Sequence, residues 1–360
     1  MPVGQNSYLC NSKKERLLKN TDNEIIGAIS DLLARNTSPI VIVPHSNPDG
    51  DAIGSAYGLA VVLKNAGHEV RIISPNDYPG FLSWLNGDVE IFNYQKMRKT
   101  SLNYLQRCGI MFCVDFNDSS RTDEMESAIA GFGGTMIMVD HHPYPTAFCH
   151  YTVSEPEYSS SAELVYDFVV SLGLERFMNH EAAEALYTGI MTDTGSFSHN
   201  TSRPNLYKVL SALMTYGIDT ESIHGRVYHN FSADRLRLMG YCLHEKMVVM
   251  PEYRTGYISL SRDELKKYNF VPGDTEGFVN IPLSINHIVF SALFIEKDGF
   301  VKVSFRSKGN FPANAFSSDH FNGGGHLNAA GGEIKLSLQE TLDKFTQLLP
   351  EYLHLLNNAD

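Results

Sequence analysis

Three apolar runs in the first half of this chain each end on acids or imidazoles, and this restricts the fold more than any other feature. Pro-Ile-Val-Ile-Val (39–43) leads into His45, Asp49 and Asp51. Gly-Ile-Met-Phe-Cys-Val (109–114) leads into Asp115, and Thr-Met-Ile-Met-Val (135–139) into Asp140, His141 and His142. Short apolar runs bounded by Gly, Pro and polar residues read as fully buried strands. A further strand is expected at 70–73, with helices at 52–66 and 122–130 between the strands. Such alternation predicts a parallel sheet covered by helices. Sheets of that kind present ligands at the carboxyl ends of their strands.

The rest of the chain changes character. An opening helix at 21–36 carries Ile25, Ile26, Ile29, Leu32 and Leu33 at helical spacing. Helices are expected at 160–172, 180–191, 206–216 and 232–246, the last as an interdomain connector. Strands follow at 257–260, 288–296 and 300–306, the last two joined by the turn Lys297-Asp298-Gly299. A helix over 337–356 closes the chain. The expected division is a domain at 1–225, a helical linker at 226–246 and a second domain at 247–360.

Composition narrows the function. The chain is 43% hydrophobic and 19% charged. It has no apolar stretch of about 18 residues, so no membrane span is expected. The stretch 1–20 lacks the apolar centre of a signal peptide. The five cysteines (10, 108, 113, 149 and 242) form no Cys-x-x-Cys pair and read as reduced thiols in a cytoplasm. The formal net charge of −12 disfavours long duplex nucleic acid, whose binding rests on phosphate neutralisation, and favours a small phosphorylated substrate.

Taken singly, the polar residues are ordinary. An Asp-x-Asp in a loop serves as an Asx-turn or helix cap. Asp193, in Gly-Ile-Met-Thr-Asp-Thr-Gly (189–195), reads as a turn residue. Taken together, Asp49, Asp51, Asp115 and Asp193 would gather with His45 and His141 at one sheet edge. Four carboxylates in one pocket repel and would not all stay ionised unaided. Two divalent cations would neutralise them. Oxygen and imidazole donors without thiolate suit Mn²⁺ or Mg²⁺, and a pair of ions is a general solution for in-line attack on phosphorus.

In this order, His-x-Asn-Pro-Asp-x-Asp-Ala-x-Gly-Ser (45–55), Val-Asp (114–115), Asp-His-His (140–142) and Thr-Asp-Thr-Gly (192–195) resemble the DHH phosphoesterase superfamily. Gly-Gly-Gly-His-x-x-Ala-Ala-Gly (323–331) resembles the signature of the accompanying DHHA1 domain, with Leu327 where many members have Pro. The resemblance implies a parallel-sheet DHH domain and a smaller α/β DHHA1 domain across a cleft. It implies that His45 and Asp49 hold one ion, that Asp51, His141 and Asp193 hold the other, and that Asp115 bridges them. His142 would face the scissile phosphate, and Asp140 would sit behind it, orienting a neighbouring histidine. Arg306, Gly323, Gly324, Gly325 and His326 would bind substrate, the glycines as an exposed anion nest and Arg306 also stabilising the developing charge, while Arg121 could reach the same cleft but reads as a surface residue.

Size and architecture resemble the stand-alone nano-RNases that also act on 3′-phosphoadenosine 5′-phosphate. The implied activity is hydrolysis of short oligonucleotides, linear dinucleotides or that bisphosphate to nucleoside monophosphates, by a cytoplasmic protein whose relatives often form homodimers. Exopolyphosphatase and cyclic-dinucleotide phosphodiesterase activities are the alternatives. A non-catalytic nucleotide sensor is a third, although no ligand position departs from the pattern.

Overall fold

The computed structural model describes residues 18–359; Cys10 and most of the stretch 1–20 lie outside them. The chain divides into two compact units. The first runs to Tyr78 and resumes over Leu82–Thr220; the second takes Pro79–Phe81 and everything from Glu221 onward.

The first unit opens with helix α1 (Asn23–Arg35), capped by Asp22, whose carboxylate accepts the Glu24 N–H. Six strands follow: β1 (Ile40–Pro44), β2 (Val70–Ser74), β3 (Ile91–Asn93), β4 (Ile110–Val114), β5 (Thr135–Asp140) and β6 (Tyr151–Ser154). They form one parallel sheet in the order β3-β2-β1-β4-β5-β6. Every residue of β1 and β4 is buried, as unbroken apolar runs require of central strands. The sheet order reverses between β1 and β4, so their carboxyl ends flank the switch point where open α/β sheets bind ligands.

The crossovers carry helices α2 (Gly50–Asn65), α3 (Arg98–Leu105) and α4 (Glu126–Ala130). Helices α5 (Ser161–Ser171), α6 (His180–Asp193) and α7 (Pro204–Met214) follow the sheet. Helix α2 is buried from Gly50 to Leu63 because β1, β2, α5 and α6 all pack on it. The expected helix at 122–130 is only partly present. Residues Ser119–Met125 form 3-10 turns broken at Asp123 (φ 47°), and α4 is short.

The second unit begins with α8 (Thr220–Tyr228), most of which lies beyond the division, and α9 (Ala233–Tyr241), which runs into a π turn at Cys242–Lys246. The stretch expected as a connector is helical but well packed: Leu238 and Cys242 are buried with Ile258, Leu260, Leu265 and Phe278. A second sheet comprises β7 (Met247–Met250), β8 (Thr255–Leu260), β9 (Phe290–Glu296), β10 (Val301–Ser307), β11 (Gly324–His326) and β12 (Ala329–Ile334), with α10 (Arg262–Lys267) after β8 and α11 (Ala313–Phe321) after β10. Its order is β11-β12-β10-β9-β8-β7, antiparallel except for the β8–β9 pair. One face buries Phe290, Phe294, Phe305, Phe316 and Phe345 in an aromatic core.

The closing helix is interrupted. Helix α12 (Leu338–Leu348) gives way to a 3-10 turn containing Pro350, which cannot supply the N–H an α-helix needs, before α13 (Leu353–Asn357). Among the described residues, no helix is long and apolar enough to cross a membrane. Cys108, Cys113, Cys149 and Cys242 are free thiols.

Helices α2 and α6 approach closely at Gly54. A Cβ there would lie 2.5 Å from the Ala185 carbonyl oxygen and 2.8 Å from the Gly189 nitrogen. Backbone gives way poorly, so Gly54→Ala is expected to destabilise the protein by about 1–3 kcal/mol. Urea unfolding should show a lower midpoint with an unchanged slope.

Candidate metal centre

Each strand of the switch point delivers its polar residues within a few positions of its last hydrogen bond. His45 follows β1 directly. Asp49 caps α2, its carboxylate accepting the Asp51 and Ala52 N–H groups at 3.0 Å each. Asp51 therefore begins the first turn of α2. Asp115 follows β4 with a left-handed backbone (φ 66°), and its N–H donates to the Val139 carbonyl at 3.1 Å. Asp140 ends β5 and is followed by His141 and His142. Asp193 is the last residue of α6, the helix packed against α2.

The donor atoms of His45, Asp49 and Asp115 lie within 4.8 Å of one another, and so do those of Asp51, His141 and Asp193. Asp115 approaches both sets. Its carboxylate is 3.5 Å from His45 Nε2 and 3.8 Å from His141 Nε2. His141 Nε2 is also 3.9 Å from Asp51 and 3.6 Å from Asp193. Both imidazoles are oriented from behind. His45 Nδ1 bonds the Ser46 carbonyl at 2.8 Å, and His141 Nδ1 bonds the Tyr158 carbonyl at 3.1 Å. Each Nε2 is thereby turned toward the carboxylates, as in metal-ligating histidines. Asp51 and Asp115 are buried, whereas the Asp49 and Asp193 side chains are 51% and 32% exposed, so the cluster opens to solvent on their side.

The electrostatics are those of a site short of positive charge. Asp51 accepts the Ser161 and Ala162 N–H groups at 2.6 and 2.8 Å, at the N-terminus of α5. Burial and the charges of Asp115, Asp193 and Asp49 nevertheless raise its carboxyl well above the usual range. Asp115 goes the other way. Burial opposes its charge, but the bond from His45 and the nearby imidazoles of His142, His45 and His141 hold it ionised. Buried carboxylate oxygens and imidazole nitrogens, with no thiolate among them, fit divalent cations.

His142 is placed differently. Its Nδ1 lies 2.7 Å from one Asp140 oxygen, and its backbone N–H donates to the other at 3.0 Å. Burial pushes the Asp140 carboxyl up to about 7 and the His142 imidazole well down. With Nδ1 committed to Asp140, any proton exchange with a substrate runs through Nε2.

Residues 39–190 match the DHH family, N-terminal domain, and residues 257–355 match the DHHA1 domain. A crystal structure of an exopolyphosphatase-related protein from Bacteroides fragilis is 41% identical, with a TM-score of 0.89 over 95% of this chain and 100% of that one. This chain belongs to the DHH family, with a DHHA1 domain after the DHH domain. The bifunctional oligoribonuclease and PAP phosphatase NrnA of Thermus thermophilus is 28% identical over 326 residues, covering 90% of this chain and 93% of that protein. RecJ from Thermus thermophilus, solved with Mn²⁺, shares the fold at 14% identity, with a TM-score of 0.55 over 95% of this chain and 56% of RecJ.

In the DHHA1 domain, Arg306 and His326 both pair with Ala329, from its two sides. Residues paired across antiparallel strands point to the same face, so Arg306 and His326 flank a small side chain on the face opposite the aromatic core. The expected glycine nest takes another form. Gly324–His326 is a strand paired with β12. A Cβ at Gly323 would meet the Gly331 carbonyl oxygen at 1.9 Å, and Gly325 has φ +139° with the Ala329 oxygen in the way. These two glycines serve hairpin packing, and Gly324 alone faces open space.

Arg121 is half-buried and its carbonyl accepts the Ser46 N–H at 2.7 Å, next to His45, so it belongs beside the site and not on the remote surface. Ser161 went unnoticed in the motifs. Its hydroxyl donates to Asp115 at 2.8 Å while its N–H donates to Asp51. The run Ser159-Ser160-Ser161 ahead of an apolar helix is a helix-cap signature that marks such donors. Ser161→Ala removes the hydroxyl and keeps the N–H. Calorimetric titration with Mn²⁺ is expected to show affinity reduced roughly tenfold, the lower end for residues that orient metal ligands.

Proposed function

We propose that this DHH-family phosphoesterase hydrolyses short oligonucleotides and small phosphorylated nucleotides to nucleoside monophosphates. The substrates are nano-RNA, linear dinucleotides and 3′-phosphoadenosine 5′-phosphate, and the setting is the cytoplasm. The observation that carries the reading is the convergence of two donor sets on Asp115. Similarity to an oligoribonuclease and PAP phosphatase over nine-tenths of the chain supports the substrate class.

His45 and Asp49 hold one divalent cation, Asp51, His141 and Asp193 hold a second, and Asp115 reaches both. Mn²⁺ is the first choice and Mg²⁺ the second, given oxygen and imidazole donors. When bound, such ions supply charge neutralisation at the phosphoryl oxygens and make a nucleophile of water at neutral pH. The chain's own residues do the rest. Ser161 and the first N–H groups of α5 fix the carboxylates of Asp51 and Asp115. Asp140 fixes the His142 ring through Nδ1, which leaves Nε2 to meet the scissile phosphate as a hydrogen-bond donor. His142 or a water protonates the leaving oxygen, and the Asp140 carboxyl, at about 7, supplies the proton that the neutral ring lacks. Arg121 adds positive charge beside His142. In the second domain, 247–360, Arg306 and His326 bind the substrate's phosphate or first nucleotide, Arg306 through its planar fork, with the backbone at Gly323, Gly324 and Gly325 beside them.

A second reading, cleavage of inorganic polyphosphate, has one observation in its favour: the 41% identical structure is described as exopolyphosphatase-related. One assay separates the two. Wild type and Asp115→Asn are compared in Mn²⁺ on dinucleotides, 3′-phosphoadenosine 5′-phosphate, cyclic dinucleotides and polyphosphate. Nucleoside monophosphate release is expected from the first two. The variant should lose roughly a thousandfold in rate, because several kcal/mol of charge stabilisation go with the carboxylate. Chelation should abolish turnover. Activity that survives chelation, or that is confined to polyphosphate, overturns the nucleotide reading.

A further inference from the structure

Tyr144 is the most exposed of the large apolar side chains among the described residues, at 86%, against 56% for Met214 and Val271. Its backbone is also in an unusual state. The φ of 61° puts a bulky aromatic in the left-handed region, and Pro145 follows it, which restricts the position further. Folding gains nothing from exposing a ring on a strained backbone. Such strain persists only where the surroundings enforce it, and it concentrates at functional sites.

The surroundings here are specific. Asn117 Nδ2 donates to the Pro143 carbonyl at 2.7 Å. The Asn117 carbonyl accepts from the Thr146 N–H at 2.8 Å and from the Thr146 hydroxyl at 3.1 Å. One residue therefore ties down the chain on both sides of Tyr144. Asn117 itself lies two positions after Asp115, and Tyr144 lies two positions after His142. Two residues of chain span at most about 7 Å. An aromatic ring is thus held to solvent, on a pinned loop, next to the residues that handle the scissile phosphate.

We infer that Tyr144 is a stacking platform for a nucleobase of the substrate, which rests on the nucleotide reading above. The Cα atoms of His142 and Tyr144 are at most about 7 Å apart, a separation that the sugar and base of a nucleotide held by its phosphate at His142 would bridge. Stacking accepts any base, since each has a π face, and it suits an enzyme that degrades short oligonucleotides of mixed sequence. Polyphosphate has no flat apolar face and would gain nothing from it.

Steady-state kinetics in Mn²⁺ on wild type, Tyr144→Ala and Tyr144→Phe test the inference. The substrates are a dinucleotide and an abasic dinucleotide of the same backbone. Tyr144→Ala should raise KM for the dinucleotide about tenfold with kcat within about twofold, the pattern of lost uniform binding. Tyr144→Phe should behave as wild type, and the abasic substrate should not distinguish the three proteins. Equal KM for wild type and Tyr144→Ala on the dinucleotide, or an equal rise on the abasic substrate, overturns the stacking role and leaves the nucleotide reading standing. A wild type that cleaves polyphosphate and no dinucleotide overturns both.

Discussion

Carboxylates gathered at one edge of a sheet repel one another, and the architecture of the first unit is organised around that repulsion. Burial takes Asp51 and Asp115 out of water, where a charge without compensation is costly. The protein's own compensation is partial. The N-terminus of α5 and the Ser161 hydroxyl serve these two acids, and three imidazoles surround Asp115. That is enough for Asp115 and not for Asp51, whose carboxyl is pushed up by burial and three neighbouring acids. Divalent cations held as proposed would make up the deficit.

The same constraint explains the packing. Asp193 joins the cluster only because α6 lies against α2, and two glycines permit that approach. Gly54 lies against the backbone of Ala185 and Gly189. At Gly189 a Cβ would sit 2.6 Å from the Ala162 Cβ and 2.9 Å from an Asp51 oxygen. The glycine of the Asp-Ala-Ile-Gly-Ser segment therefore sets the distance between the helices that carry Asp51 and Asp193, so the geometry of the cluster and the stability of the fold share the residue. The second unit solves a different problem. One face of its sheet carries the aromatic core, and the other presents Arg306 and His326 from the two strands that flank Ala329 of β12.

The parts of the fold visible in the sequence are those where a single physical demand acts on consecutive residues. Central parallel strands must be apolar on both faces, so β1, β4 and β5 announce themselves, and with them the positions of His45, Asp115 and His141. Edge strands obey a looser rule. Ile91–Asn93 and Tyr151–Ser154 are short and partly exposed, and neither forms an apolar run. The helix at 122–130 is shortened by Asp123 in a left-handed conformation, which no periodicity records. Gly-Gly-Gly-His suggests an exposed anion nest because glycine composition reports conformational freedom. Here that freedom serves a tight hairpin, where side chains would collide with backbone. Arg121 reads as a surface residue in the sequence because its placement depends on the loops around it and not on its neighbours in sequence.

The four motifs supply acids and imidazoles and carry no group that would tell what a phosphate is attached to. Under the proposed reading, one such set would suit nucleotides, cyclic dinucleotides or polyphosphate. Discrimination has to come from residues beyond the motifs, and these are the ones whose conformations the motifs do not dictate. Tyr144 is such a residue: its ring is exposed, its backbone is strained, and Asn117 pins it from a loop that starts at Asp115. Because the pinning residue follows the acid that approaches both donor sets, the loop that would read the substrate is registered to the centre that would cleave it. Alteration at Tyr144 would then change the preference for a base while the charge balance that makes the site workable stays untouched.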